Sequence, residues 1–213
     1  MSINNEEIKE NIILQARILF KTQGYEQTTI RQLVSSCHIT NGTLYKYFAN
    51  KQEIFKAVRF DDINRVTQLI QRVIKDNNDP LLMVSLETHI VFTMVQKYER
   101  YAEAIISSFD NLDVNETNIG DLTSFNKSCF AEYIKSYTDD DHRTRALIVK
   151  GIYNSIISDY LKGYDSDINS KISLVVKTIY KLHDVPENKI EAILIRTSKI
   201  VSQYETDLLK LLD

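Results

Sequence analysis

Apolar residues return every three or four positions through most of this chain, and nowhere do they alternate as a half-buried strand requires. That pattern predicts an all-α protein. Near the N-terminus, Ile30, Leu33, Val34 and Cys37 form the buried stripe of a short helix from about Thr29 to Ser36, with Thr28 or Thr29 supplying the capping hydroxyl. After a tight turn at His38 and Ile39, Thr40 is placed to cap a second helix whose Leu44 and Phe48, four apart, share one face. Asn41, Gly42, Tyr45 and Lys46 then point elsewhere. A long helix is expected over about 51–74, ending before the turn chemistry of Asp76-Asn-Asn-Asp-Pro80. Pro80 suits a first helical position for a helix over about 81–98, and another follows to about Phe109. Asp110 to Asp121 reads as a surface loop. Further helices are expected at about 122–137, 142–162, 168–183 and 187–212, separated by Asp139-Asp-Asp141, by Gly163 to Asp167 and by Asp184-Val-Pro186.

Two short helices joined by a tight turn have the outline of a helix-turn-helix, and the outward residues suit a DNA major groove. Asparagine can pair bidentately with adenine and lysine can bond guanine. Glycine admits close backbone approach, and tyrosine or threonine hydroxyls donate to phosphate. An ordinary helical hairpin inside a bundle has the same outline. The surrounding residues favour DNA binding. Ile13-Leu-Gln-Ala-Arg-Ile-Leu-Phe20, Gly24-Tyr25, Thr28-Thr-Ile30, Gly42-Thr-Leu-Tyr45, Phe48 and Lys51 stand in one order and spacing that closely resembles the TetR/AcrR family of bacterial repressors. The resemblance covers about the first 57 residues.

The resemblance implies three N-terminal helices that bind DNA and a longer, divergent helical domain that dimerises and binds a small-molecule inducer. On that pattern residues 1–50 are the DNA-binding domain and 51–213 the regulatory and dimerisation domain, with 51–74 as connector. Carried over residue by residue, it assigns Asn41, Gly42, Thr43 and Lys46, with Arg31 from the preceding helix, to base edges. It assigns Thr28, Thr40, Tyr45, Tyr47 and Lys51 to phosphates, Asn50 capping the helix that Lys51 begins. One departure is His38 at a turn position often filled by Gly. If that turn needs positive φ, His costs more than Gly but is among the better tolerated alternatives.

In the larger part, Phe92, Tyr98, Tyr101, Phe109, Phe125, Phe130, Tyr133 and Tyr153 could line a pocket for a flat or greasy ligand, or could simply form core. Ile148, Ile152, Ile156 and Tyr160, with Ile190, Leu194, Ile195, Val201 and Leu208, form long apolar stripes that face either the core or a two-fold partner. The family pattern favours a homodimer on a palindromic operator.

Composition narrows the classes further. The 213 residues are 43% hydrophobic with two prolines and five glycines, ample for a helical core. No apolar run is long enough for a membrane span, and the first residues lack a signal peptide, so a cytoplasmic protein is expected. Net charge is −3, yet residues 1–59 carry 8 basic against 5 acidic side chains and the remainder 18 against 24. A basic head on an acidic body orients the molecule toward DNA. Cys37 and Cys129 are expected as reduced thiols. His38, His89, His142 and His183 have no metal-ligand spacing, Asp139-Asp-Asp-His142 reads mainly as a solvated turn, and no catalytic constellation appears. The expectation is a ligand-responsive repressor without enzymatic activity, cofactor or metal. Regulation by protein contact instead of an inducer is the alternative.

Overall fold

The computed structural model of the chain describes residues 5–74, 79–108, 112–164 and 167–212, and these are helical with no strand among them. Helix α1 is Asn5–Gln23, α2 Ile30–Cys37, α3 Asn41–Tyr45, and α4 Lys51–Ile74. Then come α5 (Pro80–Lys97), α6 (Glu99–Ser108), α7 (Leu112–Cys129) and α8 (Asp139–Leu161). A 3-10 turn at Ile168–Lys171 leads into α9 (Ile172–Leu182), and α10 is Glu187–Leu212.

Two apolar clusters form. The smaller holds Ile12, Ala16 and Phe20 of α1, Leu33 and Cys37 of α2, Leu44, Phe48, and Ile54, Phe55 and Val58 of α4. The larger takes Val66, Ile70 and Ile74 from the far half of α4 and adds buried residues of α5 to α10. Helix α4 therefore belongs to both. The seam is held by charge as well as by packing: Arg17, almost fully buried, donates from Nε to Asp62 at 2.6 Å and from a second nitrogen to Asp61. Breaking such a buried pair on one side typically costs about 3–5 kcal/mol, because the other charge is left stranded. At the other edge of the seam, Met94 of α5 and Tyr98 just beyond its end pack on the head cluster, and Lys21 lies 4.7 Å from the centre of the Tyr98 ring.

Two expectations are overturned. Leu112 to Asp121, read as loop, is the first half of α7, and that helix stops at Cys129 instead of running to 137. Ile119, Leu122, Asn126 and Cys129 fall on one inward face, and packing of that face outweighs the loop-like composition. The chain then turns through Phe130 and Ile134, both buried. The acidic run at 139–141 opens α8. Thr138 and Asp141 form a reciprocal capping box, and three carboxylates in the first turn meet the positive end of the helix dipole.

The pocket candidates also sort themselves. Phe92 and Phe130 have no surface that water can reach, so they are core and line no cavity; Phe130 stacks on the buried His183 ring at 4.0 Å. Phe125, Tyr133 and Tyr98 are half-buried against the clusters. Phe109 and the side chain of Tyr101 lie outside the described residues. Cys129 is buried and its thiol is pushed up to about 12, chiefly by burial and then by Glu87, which leaves it protonated and unreactive.

Glu87, between the fully buried Leu86 and Thr88 on α5, has no hydrogen bond or ion pair among the described residues, and burial pushes its carboxyl up to about 7. The folded protein then holds this proton at pH values where the unfolded chain has released it. Its contribution to stability is complete below the ordinary carboxylate range and is lost as pH rises to and beyond 7. Glu87→Gln should stabilise the protein by about 2–3 kcal/mol at pH 8.5 and by little at pH 5. Thermal melts at the two pH values check this, and equal gains at both would refute it.

Candidate nucleic-acid interface

Local chemistry builds the reading hairpin. Thr29 is the residue that caps α2: its hydroxyl accepts from the Gln32 N–H at 3.2 Å, and the Gln32 side chain accepts from the Thr29 N–H at 2.8 Å. At the other end His38 is left-handed, with φ 55°, and Ile39 N–H donates to Val34 O at 3.0 Å. This is a Schellman termination in which Val34 and Ile39 both rest on the head cluster. The turn between the helices does require positive φ.

Thr40 caps α3 by accepting from the Thr43 N–H at 3.1 Å, and the two hydroxyls lie 3.0 Å apart. Leu44 and Phe48 are buried, which turns Asn41, Gly42, Tyr45 and Lys46 outward. Asn41, Lys46 and the exposed Arg31 make no hydrogen bond or ion pair among the described residues. A methyl group added at Gly42 would meet only Thr40 Oγ1, at an ordinary 3.8 Å. Nothing inside the fold requires glycine there, and glycine in a helix costs about 0.5–1 kcal/mol relative to alanine. On its outer side the bare backbone leaves room for close approach.

Three residues expected at phosphates are already occupied. Thr28 is buried; its hydroxyl donates to Gly24 O at 2.7 Å and accepts from Gln23 Nε2 at 3.1 Å, so it anchors the loop ahead of α2 and is withdrawn from the phosphate set. Tyr47 gives its one hydroxyl proton to Asn5 Oδ1 at 3.0 Å, stitching α1 to the hairpin. Lys51 points inward across the same loop. Its ammonium donates to Tyr25 O at 2.8 Å and Thr28 O at 3.0 Å and lies 4.2 Å from the centre of the Tyr25 ring. Burial pulls its pKa below the usual lysine value, with Glu26 partly opposing. Asn50 caps α4 by accepting from the Glu53 N–H at 2.9 Å. Tyr45, 53% exposed, and Thr40 lie on the outer surface. The inward role of Lys51 was invisible in the sequence because the carbonyls it bonds are 23 and 26 residues away.

Residues 12–58 match the family model described as bacterial regulatory proteins of the tetR family. The chain is 26% identical over 135 residues to the biofilm operon icaADBC HTH-type negative transcriptional regulator IcaR of Staphylococcus aureus, covering 62% of this chain and 70% of that protein. It is 33% identical over 76 residues to the HTH-type transcriptional regulator HbdR of Aromatoleum sp., covering 36% of this chain and 33% of that protein. Among solved structures, a TetR transcriptional regulator from Rhodococcus sp. RHA1 superposes with a TM-score of 0.62 at 17% identity, over 83% of this chain and 97% of that one. That likeness extends the shared fold beyond the head.

Lys51→Met should destabilise the protein by about 1–3 kcal/mol, since two loop carbonyls lose a charged donor, whereas Asn41→Ala should leave stability unchanged. Urea unfolding of both variants separates the roles; a fully stable Lys51→Met would return that lysine to the phosphate set. His38→Gly should raise stability by about 1 kcal/mol by relieving the left-handed backbone. A drop in the same unfolding midpoint would show that the imidazole makes a compensating contact.

Proposed function

The chain belongs to the TetR family of bacterial regulatory proteins, and on that premise we propose that it is a repressor, held as a homodimer on a palindromic operator and released by a small, mostly apolar ligand. DNA binding and transcriptional regulation come with the family and fold. Repression takes support from IcaR, whose name describes a negative regulator. The carrying observation is the outward face of the hairpin, where Asn41 and Gly42 on α3, Lys46 at its end and Arg31 on α2 stand exposed and, among the described residues, make no side-chain hydrogen bond or ion pair. These four, with Thr43, are proposed to meet base edges, and Thr40 and Tyr45 to meet phosphates. The working division stays at 1–50 and 51–213, and the cytoplasm, where operator DNA lies, is the proposed site of action.

One hairpin reads only a few base pairs, so a second copy in the neighbouring major groove is needed for an operator-sized site. The outer faces of the body offer a surface for it. Leu147 and Ile148 on α8 and Ile195 on α10 are 43–59% exposed. The rest of the expected stripes turn inward: Ile190 is fully buried, and Ile152, Ile156, Tyr160, Leu194 and Val201 pack on the large core. The Leu208 side chain lies outside the described residues. Ile148 and Ile195 therefore replace Leu194 and Val201 as the positions that test the dimer. Because α4 has one half in each cluster, a ligand that favours one packing of the body shifts the distance between two reading heads. Coupling of this kind is typically about 1–3 kcal/mol and acts equally in both directions.

Light scattering should report about twice 24.7 kDa, and Ile148→Glu with Ile195→Glu should give a monomer that loses operator affinity. Asn41→Ala should relax discrimination at one base pair by about 1–3 kcal/mol while leaving binding to random DNA unchanged. Titrations against an operator selected from genomic DNA check both. A monomeric wild-type protein, or equal loss on operator and random DNA, would contradict the proposal.

A further inference from the structure

Among the described residues, Thr29, Thr40 and Thr138 cap helices α2, α3 and α8, each by accepting the N–H three residues on. Their own protons go to different places. Thr29 donates to Gln32 Oε1 at 2.9 Å and Thr138 to Asp141 Oδ2 at 2.7 Å, so in both caps the side chain at the third helical position takes the proton. At α3 that position is Thr43, whose hydroxyl lies 3.0 Å from that of Thr40. An amide or carboxylate oxygen can only accept, but a second threonine can donate.

Two hydroxyls so paired use one proton between them and leave one for another molecule. Exposure decides which. Thr40 is exposed and Thr43 half-buried, so the outward proton is that of Thr40 and the internal one runs from Thr43 to Thr40. Thr40 Oγ1 then accepts twice, from the Thr43 N–H at 3.1 Å and from the Thr43 hydroxyl, and a hydroxyl that accepts is the stronger donor. In this arrangement Thr43 keeps no proton for a base. It keeps its methyl, one position beyond Gly42, whose bare backbone lets a base edge come in low enough to touch a half-buried side chain.

We propose that Thr43 reads a thymine through its methyl group, packed on the C5 methyl of the base in the major groove, while its hydroxyl serves Thr40 as a phosphate donor. This rests on α3 being the reading helix and names one base of each operator half-site.

The test scans the operator that the full-length protein selects from genomic DNA, replacing each thymine in turn by deoxyuridine, which lacks only the C5 methyl. Wild type should lose about fourfold in affinity at one thymine of each half-site, the share of one buried methyl. Thr43→Ser keeps the hydroxyl and drops the methyl, so it should bind thymine and deoxyuridine there equally. Thr43→Val keeps a methyl and drops the hydroxyl, so the fourfold difference should persist. A wild type indifferent to every replacement, a difference undiminished in Thr43→Ser, or one abolished in Thr43→Val overturns the methyl contact. Strong preference for the operator over random DNA with no thymine effect would refute the contact alone. Equal affinity of wild type for operator and random DNA would refute the reading helix as well.

Discussion

The arrangement depends on one buried charge cluster. Arg17 on α1 reaches across to Asp61 and Asp62 near the middle of α4, at the point where that helix leaves the small cluster and enters the large one. An arginine this deeply buried is tolerable only because both carboxylates are aimed at it, so α1 and α4 can slide or rotate against each other little without stranding a charge. The reading helix is referenced to α1 and α4 through Leu44, Phe48, Cys37 and Ile54, and it inherits that rigidity. The head and the first half of α4 thus share one apolar core.

A second layer of constraint fixes the loop before α2. Lys51 gathers the carbonyls of Tyr25 and Thr28, the Thr28 hydroxyl closes onto Gly24, and Phe20, Tyr25 and Phe55 pack with ring centres 5.0–5.5 Å apart. Polar groups that could have been spent on DNA are spent on holding the N-terminus of α2 still. What remains outward is a small set on α3 with no internal duties. This division is what a reading head requires: contacts with DNA give specificity only if the side chains that make them are already placed.

The body is held more loosely in chemical terms. Its core is large and apolar, but among the described residues Glu87 makes no hydrogen bond or ion pair, and Asn126 Nδ2 and His183 Nε2 are buried without a partner. Such groups lower stability relative to apolar replacements of the same shape. In the small cluster, by contrast, buried polar groups such as Thr28 and Arg17 are satisfied.

Much was legible in the sequence alone. Helical periodicity gave the all-α class, Thr40, Asn50 and one of Thr28 and Thr29 marked helix starts through hydroxyl and amide caps, and Leu44 with Phe48 decided which face of α3 looks outward. These are short-range effects, set by residues within one or two turns of each other. His38 belongs with them, since a left-handed turn residue is a local matter. Only the tertiary structure could decide the rest. It gave Thr28, Tyr47 and Lys51 hydrogen-bond partners within the fold, folded Leu112 to Asp121 into α7, and turned Leu194 and Val201 inward while leaving Ile195 out. Each outcome depends on partners tens of residues away, and a side chain's exposure or hydrogen-bond partner follows from which helix packs over it, a quantity no local pattern contains.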